Sequence, residues 1–348
     1  MIVLGIESSC DETSAAIVEG DASQATLRSC VILSQDVHRV FGGVVPEIAS
    51  RAHLASLVPV TQRALADAAL TLDDIDAIAV THAPGLVGAL LVGVSFANGL
   101  ALAHNRPVLG VHHLEGHLFA TTLEQADAEP PFTALLVSGG HTLLLDVAAW
   151  GEYRLLGSTR DDAAGEAFDK AAKLLGLGYP GGRALEALAA TAAPHPLAFS
   201  PPMLHGGQRA GDADYLDVSF SGLKTAVLRE VRAREADGTI DVMRAPIAAA
   251  FQSALIETLV AKTLRAAALH HRTRIVLGGG VACNQALQGA MRRAGASRGI
   301  TVFAPSPRFA TDNAAMIARA GLFRLARGER STHALSAFAS LPLPGLVE

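Results

Sequence analysis

Apolar and polar positions along this chain switch between a period of two and a period near four. Val3-Leu-Gly-Ile-Glu7 is an apolar strand, followed by the small polar turn Ser8 to Ser14 and a second apolar strand from Ala15 to Val18. The same plan returns in the second half as Ala134-Leu-Leu-Val137, then Ser138-Gly-Gly-His-Thr142, then Leu143 to Val147. Each predicts a β-hairpin whose Gly- or hydroxyl-rich turn can aim backbone N–H groups at an anion. Their recurrence points to a duplicated domain. Ile75 to Val80 predicts a strand before a helix over Ala83 to Ala103. Arg274-Ile-Val-Leu277 predicts another strand before Gly278-Gly-Gly280 and a helix from about Asn284. Strands alternating with helices imply an α/β fold with mixed sheets, the opening hairpins making part of each sheet antiparallel. Thr191 to Leu216 shows no period and predicts a long surface loop, of a length often tied to function.

Length and composition sharpen this picture. A chain of 348 residues suits two domains. Half its residues are apolar but only 5% are aromatic, which favours closely packed helices over aromatic-rich sandwiches. Ala83 to Ala103 carries no charge and is long enough for a bilayer. It also holds Gly85, Gly88, Gly93, Gly99, Ser95 and Asn98, lacks flanking Lys or aromatic anchors, and predicts a buried helix packed through its glycines. No basic, cleavable leader precedes the first strand, and Cys10, Cys30 and Cys283 form no C-x-x-C pair, so a reduced cytosol is expected. The formal charge of -5 lacks the footprint of a free-standing nucleic-acid binder. An RNA substrate would need a local patch or a partner subunit.

The sharpest chemical signal is His112-His113-Leu-Glu115-Gly-His117. On a helix, His113 and His117 lie one turn apart on one face, the spacing with which two imidazoles reach one metal; solvated surface histidines are the bland alternative. A zincin protease needs its Glu directly after the first His, whereas Glu115 falls two residues on, roughly 200° around a helix. Asp312, in Thr311-Asp312-Asn313 after Pro305-Ser-Pro307, is either a third ligand or only a helix N-cap. Ser138-Gly139-Gly140, Pro180-Gly181-Gly182 and Gly278-Gly279-Gly280 are each ordinary turns when taken singly. Beside apolar strands they also allow backbone to approach a phosphate or ribose. Asp11, Glu12, Asp161, Asp162, Glu166 and Asp169 add carboxylates for a ribose or an ion, or for solvent.

Taken in order, these segments resemble the TsaD family, also called Gcp or bacterial Kae-type proteins, of the actin, sugar-kinase and heat-shock superfamily. The resemblance covers essentially the whole chain. It rests on Gly5-Ile-Glu-Ser-Ser-Cys-Asp-Glu-Thr13, Gly42-Gly-Val-Val-Pro-Glu47, Pro84-Gly-Leu-Val-Gly-Ala-Leu90, the His112 to His117 motif and Leu136-Val-Ser-Gly-Gly-His-Thr142. Asp161 to Lys170, Tyr179-Pro-Gly-Gly182, Ser219-Phe-Ser-Gly-Leu-Lys224 and Thr311-Asp-Asn313 extend it. The resemblance implies two duplicated actin-like (RNase H-like) domains with a nucleotide cleft between them, expected at residues 1–109 with 325–348 and at 110–324, the latter carrying the loop 191–216. It implies one divalent metal per chain, iron with zinc as the alternative, on His113, His117 and Asp312. Nucleotide contacts fall on Leu136, Val137, Ser138, Gly139, Gly140, Asp169, Gly182 and Asn284. Arg183 stands where Pro is frequent and Glu186 where some relatives carry Asp, so Glu186, with Asp11 and Glu12, is only an accessory candidate.

The activity so implied is transfer of a threonylcarbamoyl group from threonylcarbamoyl-adenylate to N6 of the adenosine 3′ of the anticodon, in tRNAs reading codons that begin with A. No side chain stands out as a general base. Implied partners are tRNA, the adenylate or ATP and AMP, the paralogue TsaB and the ATPase TsaE, in the cytoplasm and without a membrane. The competing expectations are a metallo-glycoprotease and a non-catalytic, nucleotide-switching scaffold.

Overall fold

The computed structural model describes residues 1–332 and 334–347. In chain order the elements are β1 (Ile2–Glu7), β2 (Glu12–Gly20), β3 (Ala25–Ser34), α1 (Pro46–Ala68), β4 (Ala77–Ala83), α2 (Val87–Ala103), β5 (Val108–His112) and α3 (His113–Ala120). There follow β6 (Phe132–Val137), β7 (Thr142–Ala149), β8 (Glu152–Ser158), α4 (Ala164–Leu174), α5 (Gly181–Ala190), α6 (Ser221–Ala236), α7 (Ile240–Leu269), β9 (Arg274–Gly278), α8 (Gln285–Ala296) and β10 (Thr301–Phe303). The chain ends with α9 (Pro307–Ala310), α10 (Ala314–Ala326) and β11 (Leu346–Val347).

The chain divides into two compact units, residues 1–128 with 305–344 and residues 129–304 with 345–348. The first holds a sheet ordered β3-β2-β1-β4-β5, in which β1, β2 and β3 are antiparallel and β4 and β5 run parallel to β1. The second repeats that order as β8-β7-β6-β9-β10, with β11 added beside β8. The duplication expected from the two hairpins is therefore carried through all five strands, and the fold is α/β with the same strand order in both domains. The second turn lies where its small polar residues put it, between Val137 and Thr142, whereas the first is shorter than expected, because Glu12, Thr13 and Ser14 already pair in β2.

The division differs from the boundaries at 109 and 325. β5 and α3 pack with α10, so the chain stays in the first unit through Ala128 and re-enters it at Pro305. Local periodicity carries no information about such a distant return. Helix α2 starts at Val87 rather than Ala83, because Pro84 and Gly85 form a turn in which Leu86 N–H donates to the Ser9 carbonyl at 2.8 Å. It packs closely at Gly93, where a Cβ would stand 2.3 Å from Ser8 Oγ, but against expectation it is only half buried: Val87, Leu91 and Leu102 are exposed and Gly99 has open space around it. In the second unit α7 is long and apolar enough to cross a bilayer, yet Phe251, Leu255, Leu259 and Ala266 bury it in that unit's core. Residues 191–216 lie between α5 and α6 and form no regular element. Fully buried Lys262 of α7 anchors the end of that loop, its ammonium donating to the carbonyls of Asp214 and Tyr215 at 2.7 and 2.9 Å.

Candidate functional site

The His112 to His117 motif opens α3 directly off the end of β5, so His113 and His117 lie one turn apart on a buried helix face. Their rings meet edge to face with centroids 4.7 Å apart. Asp312 arrives from the loop between α9 and α10. Its Oδ1 lies 3.4 Å from His113 Nε2 and 3.3 Å from His117 Nε2, and one ligand atom from each residue fits within 4.8 Å of the other two. The choice between cap and ligand is resolved one residue further along the chain. Asn313 is the N-cap of α10, its side chain accepting from Met316 N–H at 3.0 Å, which leaves the Asp312 carboxylate to face the imidazoles.

Two further residues complete the geometry. Glu7, fully buried at the end of β1, accepts from Thr81 Oγ1 at 2.6 Å and from Ser9 N–H, and its Oε2 stands 3.1 Å from His113 Nδ1. A carboxylate on Nδ1 fixes the ring and turns Nε2 toward Asp312, the usual support for a metal-binding histidine. Glu7 was not among the candidates, although a charge at the end of an otherwise apolar strand could have flagged it. Glu115 lies on another side of α3, fully buried, where Arg324 grips both its oxygens at 2.6 and 2.8 Å. A carboxylate so engaged cannot serve as the base a metalloprotease requires.

Burial and neighbouring charge compete at His113, His117 and Asp312. Burial alone would raise the Asp312 carboxyl, but the His113 and His117 rings hold it far below the usual carboxylate range. Burial opposes charge on His113 too, yet Asp312 and Glu7 keep that imidazole protonated well above its ordinary value. His117 goes the other way, pushed down mainly by burial. Glu12 is pushed up to about 10 by burial and then by the negative neighbours Asp312 and Asp11. Glu12 therefore stands within electrostatic reach of Asp312, with Asp11 next to it. Both His117 ring nitrogens are buried without a hydrogen-bond partner. Its Nε2 stands 3.3 Å from Asp312 Oδ1 without a hydrogen bond, and an orphaned buried nitrogen costs about 1–3 kcal/mol. Two imidazoles and a carboxylate converging on one point are a donor set suited to zinc or ferrous iron.

The nucleotide candidates are all in the second unit. Leu136 and Val137 end β6, and Ser138, Gly139 and Gly140 form its turn. The turn rests on the start of α4, where a Cβ on Gly165 would stand 2.6 Å from the Ser138 carbonyl. Asp169 of α4 accepts from Gly181 N–H at 2.7 Å and so ties that helix to the start of α5. The close approach there belongs to Gly181, whose Cβ would meet Ala172 at 2.3 Å, whereas Gly182 has open space around it. Asn284 caps α8 through Leu287 N–H at 2.9 Å and donates to Gln252 at 2.8 Å. Glu186 of α5 accepts from Gln285 N–H at 2.7 Å, which joins α5 to the same helix start. Three helix N-termini and an open glycine turn thus share one region of this unit, an arrangement favourable to a phosphate.

Known proteins resemble this chain in both sequence and fold. Residues 26–319 match the family model TsaD, tRNA N6-adenosine threonylcarbamoyltransferase. A protein of that name from Gemmatimonas aurantiaca is 68% identical over 351 residues, covering 100% of this chain and 98% of the relative. Another from Ralstonia pickettii is 52% identical over 328 residues, covering 93% and 92%. Among solved structures, component A of the Acidaminococcus fermentans (R)-2-hydroxyglutaryl-CoA dehydratase superposes with a TM-score of 0.53 at 15% identity, covering 94% of this chain and 98% of that one. HypF from T. kodakarensis gives 0.60 at 14%, covering 93% and 47%. These two speak for the fold alone. By the family match and by relatives of this similarity, the chain belongs to the TsaD family of transferases, the tRNA N6-adenosine threonylcarbamoyltransferases.

Proposed function

We propose that the chain moves the threonylcarbamoyl group of threonylcarbamoyl-adenylate to N6 of the adenosine 3′ of the anticodon in tRNAs reading codons that begin with A, and that it does so with a divalent metal on His113, His117 and Asp312. One observation carries the metal part: three ligand atoms gather around a buried His117 whose ring nitrogens have no hydrogen-bond partner. The expected metal is iron, with zinc as the alternative. An ion held by these residues would supply Lewis-acid charge for an acyl oxygen of the substrate.

The protein's own groups do the rest. Ser138, Gly139 and Gly140, after Leu136 and Val137, offer backbone to the AMP phosphate; Asp169, Gly182 and Asn284 flank its ribose and base, with Glu186 as an accessory. Glu7 holds His113 in the ligating orientation. The new bond joins the carbamoyl carbon to N6, the bond from that carbon to the phosphate oxygen breaks, AMP leaves, and the amine proton passes to solvent or to the departing phosphate. Glu12, within electrostatic reach of Asp312, and its neighbour Asp11 suit an accessory ATP hydrolysis.

The proposed partners are tRNA, TsaB and TsaE, in the cytoplasm. Exposed Leu54 and Val58 of α1 and Val87 and Leu91 of α2 supply apolar surface for a protein partner on the first unit. The test is mass analysis of tRNA nucleosides after incubation with threonylcarbamoyl-adenylate, metal and partner subunits. Adenosine should gain the threonylcarbamoyl mass with the parental chain and not with His117→Ala. Unmodified adenosine with every component present would sink this reading.

A further inference from the structure

The overall charge hides an uneven distribution. The first unit carries sixteen Asp and Glu against ten Lys and Arg, the second seventeen against eighteen. Within the second unit, the stretch from Thr258 to Ala304 contains no acid at all, yet it holds Lys262, Arg265, Arg272, Arg274, Arg292, Arg293 and Arg298. Some of these cations are committed. Lys262 is buried on backbone carbonyls, Arg272 is paired with both oxygens of Asp146, and Arg274 donates to the Glu129 carbonyl. The exposed Arg292, Arg293 and Arg298 have no carboxylate within ion-pair distance among the described residues. Arg265 is held only by neutral acceptors, Gln208 Oε1 at 2.9 Å and the Tyr215 carbonyl at 3.3 Å, and its guanidinium lies 4.8 Å over the Tyr215 ring.

Three of these arginines line one open groove. It runs between α7 and α8, has a volume of about 920 Å³, and is floored by small residues such as Ala261 and Ala290. Arg265, Arg293 and Arg298 lie along it, and Glu257 is its only acid. Guanidinium groups without carboxylate partners retain the planar donor fork that matches phosphate. Three arginines, one held by neutral acceptors and two without a carboxylate partner, outweigh the single carboxylate of Glu257 and give the groove a net positive charge that suits a polyanion.

We propose that the groove between α7 and α8 is a docking surface for the phosphate backbone of the tRNA, with Arg265, Arg293 and Arg298 as its contacts. The inference rests on the tRNA-modifying reading above and gives an acidic chain a place to hold RNA. Arg265 is positioned from within, because its stacking on Tyr215 and its bonds to residues 208 and 215 link the groove to the long loop between α5 and α6.

The experiment is a salt titration of tRNA binding by the full chain with its partner subunits, using parental protein, the double variant Arg293→Ala with Arg298→Ala, and Arg232→Ala on α6 as the outside control. Removing two phosphate contacts should weaken binding by about tenfold near physiological salt. It should also reduce the slope of log affinity against log salt by about two, with the control at the parental slope. The KM for tRNA in the transfer assay should rise in step. Parental affinity and slope in the double variant would overturn the proposal, as would loss of partner-subunit binding with tRNA binding intact, which would assign the groove to an acidic protein. Failure of the parental chain to modify tRNA would instead strike the functional reading, so the two failures are separable.

Discussion

Replacing Glu7 by Gln isolates the contact that orients the proposed metal site. The side chain keeps its shape, but the negative charge 3.1 Å from His113 Nδ1 is lost, and one amide oxygen must serve where two carboxylate oxygens accepted from Thr81 Oγ1 and Ser9 N–H. Two separable effects follow. One buried donor is left without an acceptor, which lowers folding stability by about 1–3 kcal/mol. His113 also loses the charge that fixes its ring with Nε2 toward Asp312. Loss of such an outer-shell carboxylate lowers metal affinity by about 10–100-fold, or roughly 1.4–2.8 kcal/mol of binding free energy. The assay is elemental analysis of metal retained per chain across a chelator series, at a temperature where thermal denaturation shows the variant folded. His117→Ala, which removes a ligand outright, is the reference for complete loss. Metal retention in Glu7→Gln equal to the parental curve, with only the unfolding temperature lowered, would make Glu7 a structural residue and refute the argument.

Two other predictions follow. In α5, Gly181→Ala should disturb the join between α4 and α5 because its Cβ would stand 2.3 Å from Ala172, lowering the unfolding temperature and weakening AMP binding by calorimetry; Gly182→Ala, with open space around it, should leave the unfolding temperature unchanged. Burial, and then the charge of Arg265, lowers Lys262 to about 8, below its unfolded value. The unfolded chain therefore binds the extra proton as pH rises above 8, so parental stability should gain on Lys262→Met between pH 8 and about 10.5, by up to about 1.4 kcal/mol per pH unit. A pH-independent difference in denaturant midpoints would contradict the assignment.

How much of this architecture can be read from the chain depends on whether the relevant spacing is local. The hairpins, the close packing of α2 at Gly93 and the strand before Gly278 express the period of two or the close approach of small residues, and both appear within a window of about twenty positions. His113 and His117 are legible for the same reason, since one helical turn brings them together. The domain division is not, because it depends on α3 meeting α10 across an excursion of the whole second unit. Glu7 belongs to the same class: its partner His113 is 106 positions away. A reading that scores a strand by its apolar positions treats a terminal carboxylate as the start of a turn.

Asp312 shows a different limit. Thr311, Asp312 and Asn313 each carry a side chain able to cap a helix, so composition cannot say which one does. Only the observed start of α10 decides, and it gives the cap to Asn313. The displacement by one residue matters chemically. A carboxylate spent on the first turn of α10 would be stabilised by backbone N–H groups and turned from the histidines. With an amide doing that work, the carboxylate is held instead by His113 and His117. The basic groove was obscured for a related reason: a total charge of -5 averages an acidic first unit with a nearly balanced second one, and the sum contains nothing about the acid-free stretch from Thr258 to Ala304. In both cases the informative quantity is which neighbour takes up a charge, so a search of the chain for cations and carboxylates left without a local partner would recover more of the function than either the net charge or the motif count.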